Sequence, residues 1–247
     1  MCGIVGYLGQ HAAAPVLLKG LQSLEYRGYD SAGLALLQAD SLQVYKASGK
    51  LSNLQSQLPQ HLLSSQAHTP CVGMGHTRWA THGSPTEENA HPHLSCDGQI
   101  AVIHNGIIEN YGTLRETLQK QGHTFHSKTD TECVAHLIES LYATHADMLS
   151  VLHAVANQLV GAYALVVLDK RRPGHLYGIR NQAPLVVGRS STHTYMLGSD
   201  VVALAGQVDQ VAFLRDGEIV ELSTQGMRAI QFNGTPVQLS FEPLNTA

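Results

Sequence analysis

At 247 residues the chain has room for one large domain or two small ones, and 43% hydrophobic content with 23 glycines suits a globular core crossed by many strand turns. Fifteen basic against nineteen acidic residues give a formal charge of −4 without a basic stripe, which argues against a nucleic-acid partner. No apolar run reaches the ~18–20 residues that cross a bilayer, and no basic n-region precedes an apolar stretch at the start, so neither a membrane span nor a signal peptide is expected.

The chain opens MCGIVGYLG, with Cys2 directly after Met1. Removal of Met1 before so small a residue is expected, which places a thiol on the residue carrying the free α-amine. An α-amine titrates near ~7.7–8.0 and a thiol near ~8.5, so one residue would hold base and nucleophile together. Apolar, β-branched runs predict strands at 4–8, 33–37, 72–77, 100–103, 162–168, 185–187 and 211–214. Pro15 suits the first turn of a helix running to about Leu24. The segment 78–98, RWATHGSPTEENAHPHLSCDG, has neither helical nor strand period, and so long a loop in a compact domain is usually functional. It carries the only tryptophan, Trp79. A helix is expected from near Tyr111. A clearer one follows Asp130, where Val134, Leu137, Ile138, Leu141 and Tyr142 repeat at i, i+3, i+4, i+7, i+8. Late strands divided by short turns at Gly217 and Asn233–Gly234 imply antiparallel pairing. The expected fold is α+β, two packed sheets with helices outside each.

Several residues carry chemistry. A thiolate attacking an amide builds charge on the carbonyl oxygen, which two fixed donors must receive. Asn105–Gly106 offers a side-chain NH2 and a backbone N–H side by side. An ordinary Asn-Gly hairpin is the competing reading, but HNGIIEN runs on toward a helix rather than back as a strand. Arg78 opens the irregular loop, where a guanidinium fork suits a carboxylate. Asp130, at the mouth of the clear helix, reads first as a helix cap and second as an anion for a substrate ammonium. The four cysteines (Cys2, Cys71, Cys96, Cys133) lack paired spacing, which favours a reducing cytoplasm over disulfides or a zinc knuckle. Five of the 15 histidines, His76, His82, His91, His93 and His104, fall within 29 residues. A metal reading of them is disfavoured because Pro92 splits the HPH pair and no Cys or carboxylate stands at ligand spacing. Hydrogen-bonded histidines are expected instead.

Six segments, MCGIVG, LEYRGYDSAG, HTRWATHG, NAHPH, HNGIIEN and TDTE, together resemble the class II, or N-terminal nucleophile, glutamine amidotransferases. Tyr29, Trp79, His82 and the HPH favour the sugar-phosphate branch, the glutaminase domains of glucosamine-6-phosphate synthases, over the amidophosphoribosyltransferase type. The resemblance covers the chain to about residue 240. It implies a four-layer αββα sandwich that hydrolyses L-glutamine to glutamate and ammonia with neither cofactor nor metal. Cys2 would be the nucleophile and its α-amine the base, with Asn105 and Gly106 as the oxyanion hole. Arg78 would grip the glutamine carboxylate and Asp130 its ammonium. Thr81 and His82 would line the loop closing over the substrate, Trp79 would gate the ammonia exit, and Arg27 and Tyr29 would support the site near a neighbouring domain. The family's synthases carry a longer C-terminal part that binds and isomerises fructose 6-phosphate, and a homodimer is expected of the full-length enzyme. Residues 1–240 therefore read as a glutaminase domain taken from a larger enzyme, and 241–247 as the start of a linker to an absent isomerase domain. A glutaminase feeding another acceptor is the alternative. A non-catalytic glutamine sensor is disfavoured, because Cys2, Asn105 and Asp130 are all present.

Overall fold

The structure is a computed structural model and describes residues 2–66, 68–81, 83–145 and 147–245. One antiparallel sheet has the order β15 (Glu242–Pro243), β11 (Gln210–Phe213), β9 (Val186–Arg189), β10 (Tyr195–Gly198), β1 (Gly3–Leu8), β4 (Val72–Arg78), β2 (Ser31–Gln38) and β3 (Ser41–Ser48). The other runs β14 (Pro236–Val237), β13 (Gly226–Gln231), β12 (Glu218–Ser223), β8 (His175–Asn181), β7 (Tyr163–Asp169), β6 (Ile100–Gly106) and β5 (His93–Leu94). Helices α1 (Ala13–Ser23) and α2 (Leu51–Gln57) cover the first sheet. Helices α3 (Tyr111–Lys120), α4 (Thr131–Tyr142) and α5 (Met148–Ala156) cover the second.

Side-chain alternation along each strand builds the layers. In β1, Val5 and Tyr7 pack on Leu17 and Leu21 of α1. Ile4 and Leu8 point the other way, into a core shared with the second sheet. In β6, Ile100 and Val102 face Val134 and Ile138 of α4, while Ala101 and Ile103 face the first sheet. Both faces of these strands are covered, which is why they read as unbroken apolar runs, and each buried Leu, Ile or Val contributes about 1.5–3 kcal/mol. The result is the expected four-layer αββα sandwich.

The seven strands expected from apolar runs are all present, with ends shifted by at most three residues. Strands β3, β8 and β10 were not expected. The first is a half-exposed edge (SLQVYKAS), the second places polar residues at both ends (HLYGIRN), and the third has four residues. Residues 242–243, within the segment 241–247 expected to start a linker, pair with β11, and Leu244 N–H donates to Asp209 O at 2.9 Å. Among the described residues, no helix is long and apolar enough to cross a membrane.

The antiparallel pairing that sets Gly3 opposite Thr77 brings the start of β1 to the end of β4. The end of β6 and the start of α4 meet them there. Cys2, Arg78, Asn105–Gly106 and Asp130, spread over 129 residues of chain, thus converge on one end of the sandwich.

Candidate active site

A small pocket is lined by Cys2, Arg78, Trp79, Thr81, His91, His104, Gly106, Asp130 and Thr131. Roomier concavities exist, but they do not bring a thiol, a guanidinium and a carboxylate together. Cys2 Sγ accepts the Trp79 N–H at 3.2 Å. Burial pushes its thiol pKa up, and the Trp79 backbone contact only partly opposes this. The thiol is therefore protonated at neutral pH and needs a base before it can attack.

Asn105 Nδ2 donates to Cys2 O at 3.2 Å, so the amide sits over Cys2. Its orientation is set from behind. His76 Nε2 lies 3.0 Å from Asn105 Oδ1 and 2.8 Å from His104 O. Both partners are acceptors, so Nε2 carries the proton and donates. With Oδ1 engaged by His76, the NH2 of Asn105 is turned toward Cys2. Burial lowers the His76 pKa to about 3, so the ring is neutral in this role. No motif in the sequence distinguished His76 from the core histidines, and its part was missed.

Gly106 does not make the hairpin turn that its sequence allows. It pairs with Tyr163 in β7, and the ladder continues as Ile107 N–H donates to Ala162 O at 3.0 Å. Its φ is +106°, and a Cβ there would lie 2.1 Å from Ala162 O, so only glycine fits.

Asp130 stands immediately before α4, but its carboxylate does not cap that helix. Oδ2 instead accepts the Ile108 N–H across the site at 2.8 Å, which overturns the cap reading. The Ile108 amide, just past Gly106, wins the carboxylate and holds it at the pocket wall. Asp147 shows the contrast, since it caps α5 by accepting the Ser150 N–H at 2.8 Å.

The Arg78 guanidinium is buried and donates to Gly83 O at 3.1 Å and Ser84 O at 3.2 Å. It therefore organises the 79–90 loop as well as lining the pocket. Asn89 helps by donating to Ser84 O at 2.9 Å and accepting the Lys128 N–H at 2.9 Å. Asp30, also missed from sequence, accepts the Ala80 N–H at 3.0 Å. Trp79 is fixed through its backbone, while the residue is 53% exposed and its ring lies over Gly28. His82 lies outside the described residues.

Arg27 and Tyr29 do not line the pocket. They flank Gly28 beneath the Trp79 ring: Arg27 pairs with Asp200 at 2.7 Å, and Tyr29 Oη accepts the Leu51 N–H that opens α2 at 2.7 Å. Among the described residues, the clustered histidines His76, His91, His93 and His104 are hydrogen-bonded, as expected. His91 Nδ1 accepts the His104 N–H at 3.2 Å, His91 Nε2 and His104 Nδ1 meet Thr131 Oγ1 at 3.2 and 2.8 Å, and His93 Nε2 meets Thr129 Oγ1 at 2.9 Å. His76 stacks on His91 with centroids 4.1 Å apart. Gly33 permits this arrangement, because a Cβ there would fall 1.8 Å from His91 O.

A sandwich of this layering with a cysteine entering its first strand has the fold of the N-terminal nucleophile hydrolases. Comparisons with known proteins narrow the class. The family model described as a glutamine amidotransferase domain matches residues 76–206, and the chain belongs to that family. Glutamine–fructose-6-phosphate aminotransferase (isomerizing) of Streptomyces coelicolor is 46% identical over 97% of this chain and 38% of its own length. The Thermus thermophilus enzyme of that name is 48% identical over 96% of the chain and 38% of its length. The chain thus spans under two fifths of these relatives. Among solved structures, glutamine phosphoribosylpyrophosphate amidotransferase from B. subtilis, complexed with ADP and GMP, matches with a TM-score of 0.79 at 26% identity, over 94% of this chain and 49% of that one.

Proposed function

We propose that the chain, once Met1 is removed, hydrolyses L-glutamine to glutamate and ammonia through a thioester on Cys2. The observation that carries this reading is the meeting of Cys2, Arg78, Gly106 and Asp130 around one pocket, with Asn105 turned toward Cys2 by His76. The α-amine of Cys2 takes the thiol proton as Sγ bonds to the amide carbon, and the carbonyl oxygen becomes an oxyanion. Asn105 Nδ2 and the Gly106 N–H receive that charge, each supporting about 10²–10³ in rate. The amine returns the proton to the departing nitrogen, which leaves as ammonia. Water, deprotonated by the same amine, then attacks the thioester and releases glutamate and the free thiol. These steps use no cofactor.

Arg78 holds the substrate carboxylate and Asp130 its ammonium, fixing the end remote from the reacting amide. Thr81 and His82 close over the substrate, and Trp79 gates the way out for ammonia. Arg27 and Tyr29 brace the turn beneath Trp79, on the side facing a further domain.

In the longer protein, the ammonia would aminate fructose 6-phosphate to glucosamine 6-phosphate on a C-terminal sugar-phosphate isomerase domain. That protein would act in the cytoplasm as a homodimer. Residues 1–240 supply the glutaminase domain and the strand at 242–243 seats the segment that leaves it. Identities of 46–48% to enzymes that carry this name, against 26% to the phosphoribosylpyrophosphate amidotransferase, support this acceptor over the alternative one. The test is glutamate release from L-glutamine, measured in EDTA with protein shown to begin at Cys2. Steady release that collapses in Cys2→Ser is expected, and no release, or release only with added metal, refutes the reading.

A further inference from the structure

Away from the pocket, four metal-ligating atoms converge from three segments. Cys96 lies in the turn between β5 and β6, His123 just past α3, and His136 and Glu139 one turn apart on α4. Their ligating atoms all lie within 4.8 Å of one another. Cys96 Sγ is 3.9 Å from His123 Nδ1 and 3.4 Å from His136 Nδ1. The two Nδ1 atoms are 3.3 Å apart, and Glu139 Oε1 lies 2.9 Å from His123 Nδ1 and 3.8 Å from His136 Nδ1. A tetrahedral centre with Zn–S near ~2.3 Å and Zn–N or Zn–O near ~2.0–2.1 Å separates sulfur from nitrogen by about 3.5 Å and nitrogen from nitrogen by about 3.3 Å. The observed edges scatter around those values.

The surroundings match a ligand shell. His136 Nε2 donates to the Glu132 carboxylate at 2.9 Å, which leaves the lone pair of Nδ1 facing the cluster, in a carboxylate–histidine–metal relay. Glu132 is itself anchored by the Ser127 N–H at 2.6 Å and the His126 N–H at 2.9 Å. The Thr124 N–H donates to Cys96 Sγ at 3.3 Å, and the Asp97 N–H holds Glu139 Oε2 at 2.7 Å. Glu139 Oε1, the oxygen turned into the cluster, has the two imidazoles as its neighbours, with His123 Nδ1 the nearer. One thiolate, one carboxylate and two neutral imidazoles balance a divalent cation, and thiolate with imidazole in tetrahedral array selects zinc.

We propose that Cys96, His123, His136 and Glu139 form a structural Zn²⁺ site that clips the β5–β6 turn and the end of α3 to α4. Sequence reading passed over it because the ligands share no CxxC spacing; only the fold joins them. The clip bears on the helix that begins beside Asp130, but none of its ligands lines the pocket. Turnover does not require the metal, so failure of this site and failure of the glutaminase reading are separate results.

The test is Zn²⁺ uptake by EDTA-stripped protein against a competing chromophoric chelator, with Co²⁺ as a spectroscopic substitute. One zinc per chain is expected, with a cobalt form showing tetrahedral bands and a thiolate-to-metal charge-transfer band. Cys96→Ser should abolish that band and, like His123→Ala, weaken zinc binding by at least about 10–100-fold. Zinc at a hundred times its dissociation constant should raise Tm by about 5–10 °C in the parent protein and not in a variant carrying both Cys96→Ser and His123→Ala. Cys2→Ala should leave uptake and the band intact, which separates the site from the N-terminal thiol and amine. Uptake that survives both Cys96→Ser and His123→Ala, uptake lost only with Cys2→Ala, or no uptake by the parent protein overturns the proposal.

Discussion

Replacing His76 with Phe tests whether the oxyanion donor is aimed from behind. The substitution keeps a ring where His76 stacks on His91, 4.1 Å away and 9° from parallel, and removes the Nε2–H. Two acceptors, the buried His104 O and the half-buried Asn105 Oδ1, then lose their donor. An unsatisfied buried acceptor costs about 1–3 kcal/mol, part of it as lost stability and part as freedom of the Asn105 amide to turn away from Cys2. If about 1–2 kcal/mol of this is felt in the transition state, kcat falls about 5–30-fold. KM should stay within about threefold, because His76 does not touch the substrate ends. The assay is steady-state glutamate release by the single variants and the double variant. Asn105→Ala alone should lower kcat by about 10²–10³. Adding His76→Phe to it should change little, since His76 acts through Asn105. A wild-type kcat for His76→Phe, or effects that multiply in the double variant, would refute the reasoning.

Arg78→Lys loses the fork that meets a carboxylate and also the bonds to Gly83 and Ser84 carbonyls, so KM for glutamine should rise about tenfold or more while kcat falls less. Steady-state kinetics showing the reverse would reassign Arg78. Gly33→Ala places a methyl 1.8 Å from His91 O, and should destabilise by about 1–3 kcal/mol, read as a lower Tm. Burial holds His76 at about 3, whereas the unfolded chain protonates it near ~6.5. The unfolded state binds the extra proton between these values, so this contribution is full above pH ~6.5 and is lost as pH falls toward 3. Urea midpoints should decline from pH 7.5 to 5 and decline less in His76→Phe; equal slopes would contradict the assignment.

The expected strands were legible because burial on both faces leaves unbroken apolar runs, and α4 because burial on one face leaves a helical period; α1 was expected from Pro15 and α3 from the run of HNGIIEN past Gly106. Strands β3 and β8 were not, since edge exposure and polar ends break such runs. Cys2, Asn105, Gly106 and Arg78, which the fold brings to one end of the sandwich, were singled out from residue chemistry beside a strand end. His76, Asp30 and Thr131 were not, because their roles depend on which atom faces which partner. Asp130 shows the limit most clearly. Its position before a helix invites capping, yet the carboxylate goes to Ile108 N, 22 residues away. The Cys96–Glu139 cluster is invisible to spacing for the same reason.

The central claim is that Cys2, exposed as the first residue, is the nucleophile. Its most direct test is the intact and peptide mass of the protein after reaction with a glutamine analogue that carries an electrophilic ketone in place of the amide. One adduct per chain is predicted, on Cys2, and only on chains that have lost Met1. An adduct on Cys71, Cys96 or Cys133, equal labelling of chains that retain Met1, or no adduct on chains beginning at Cys2 would contradict it.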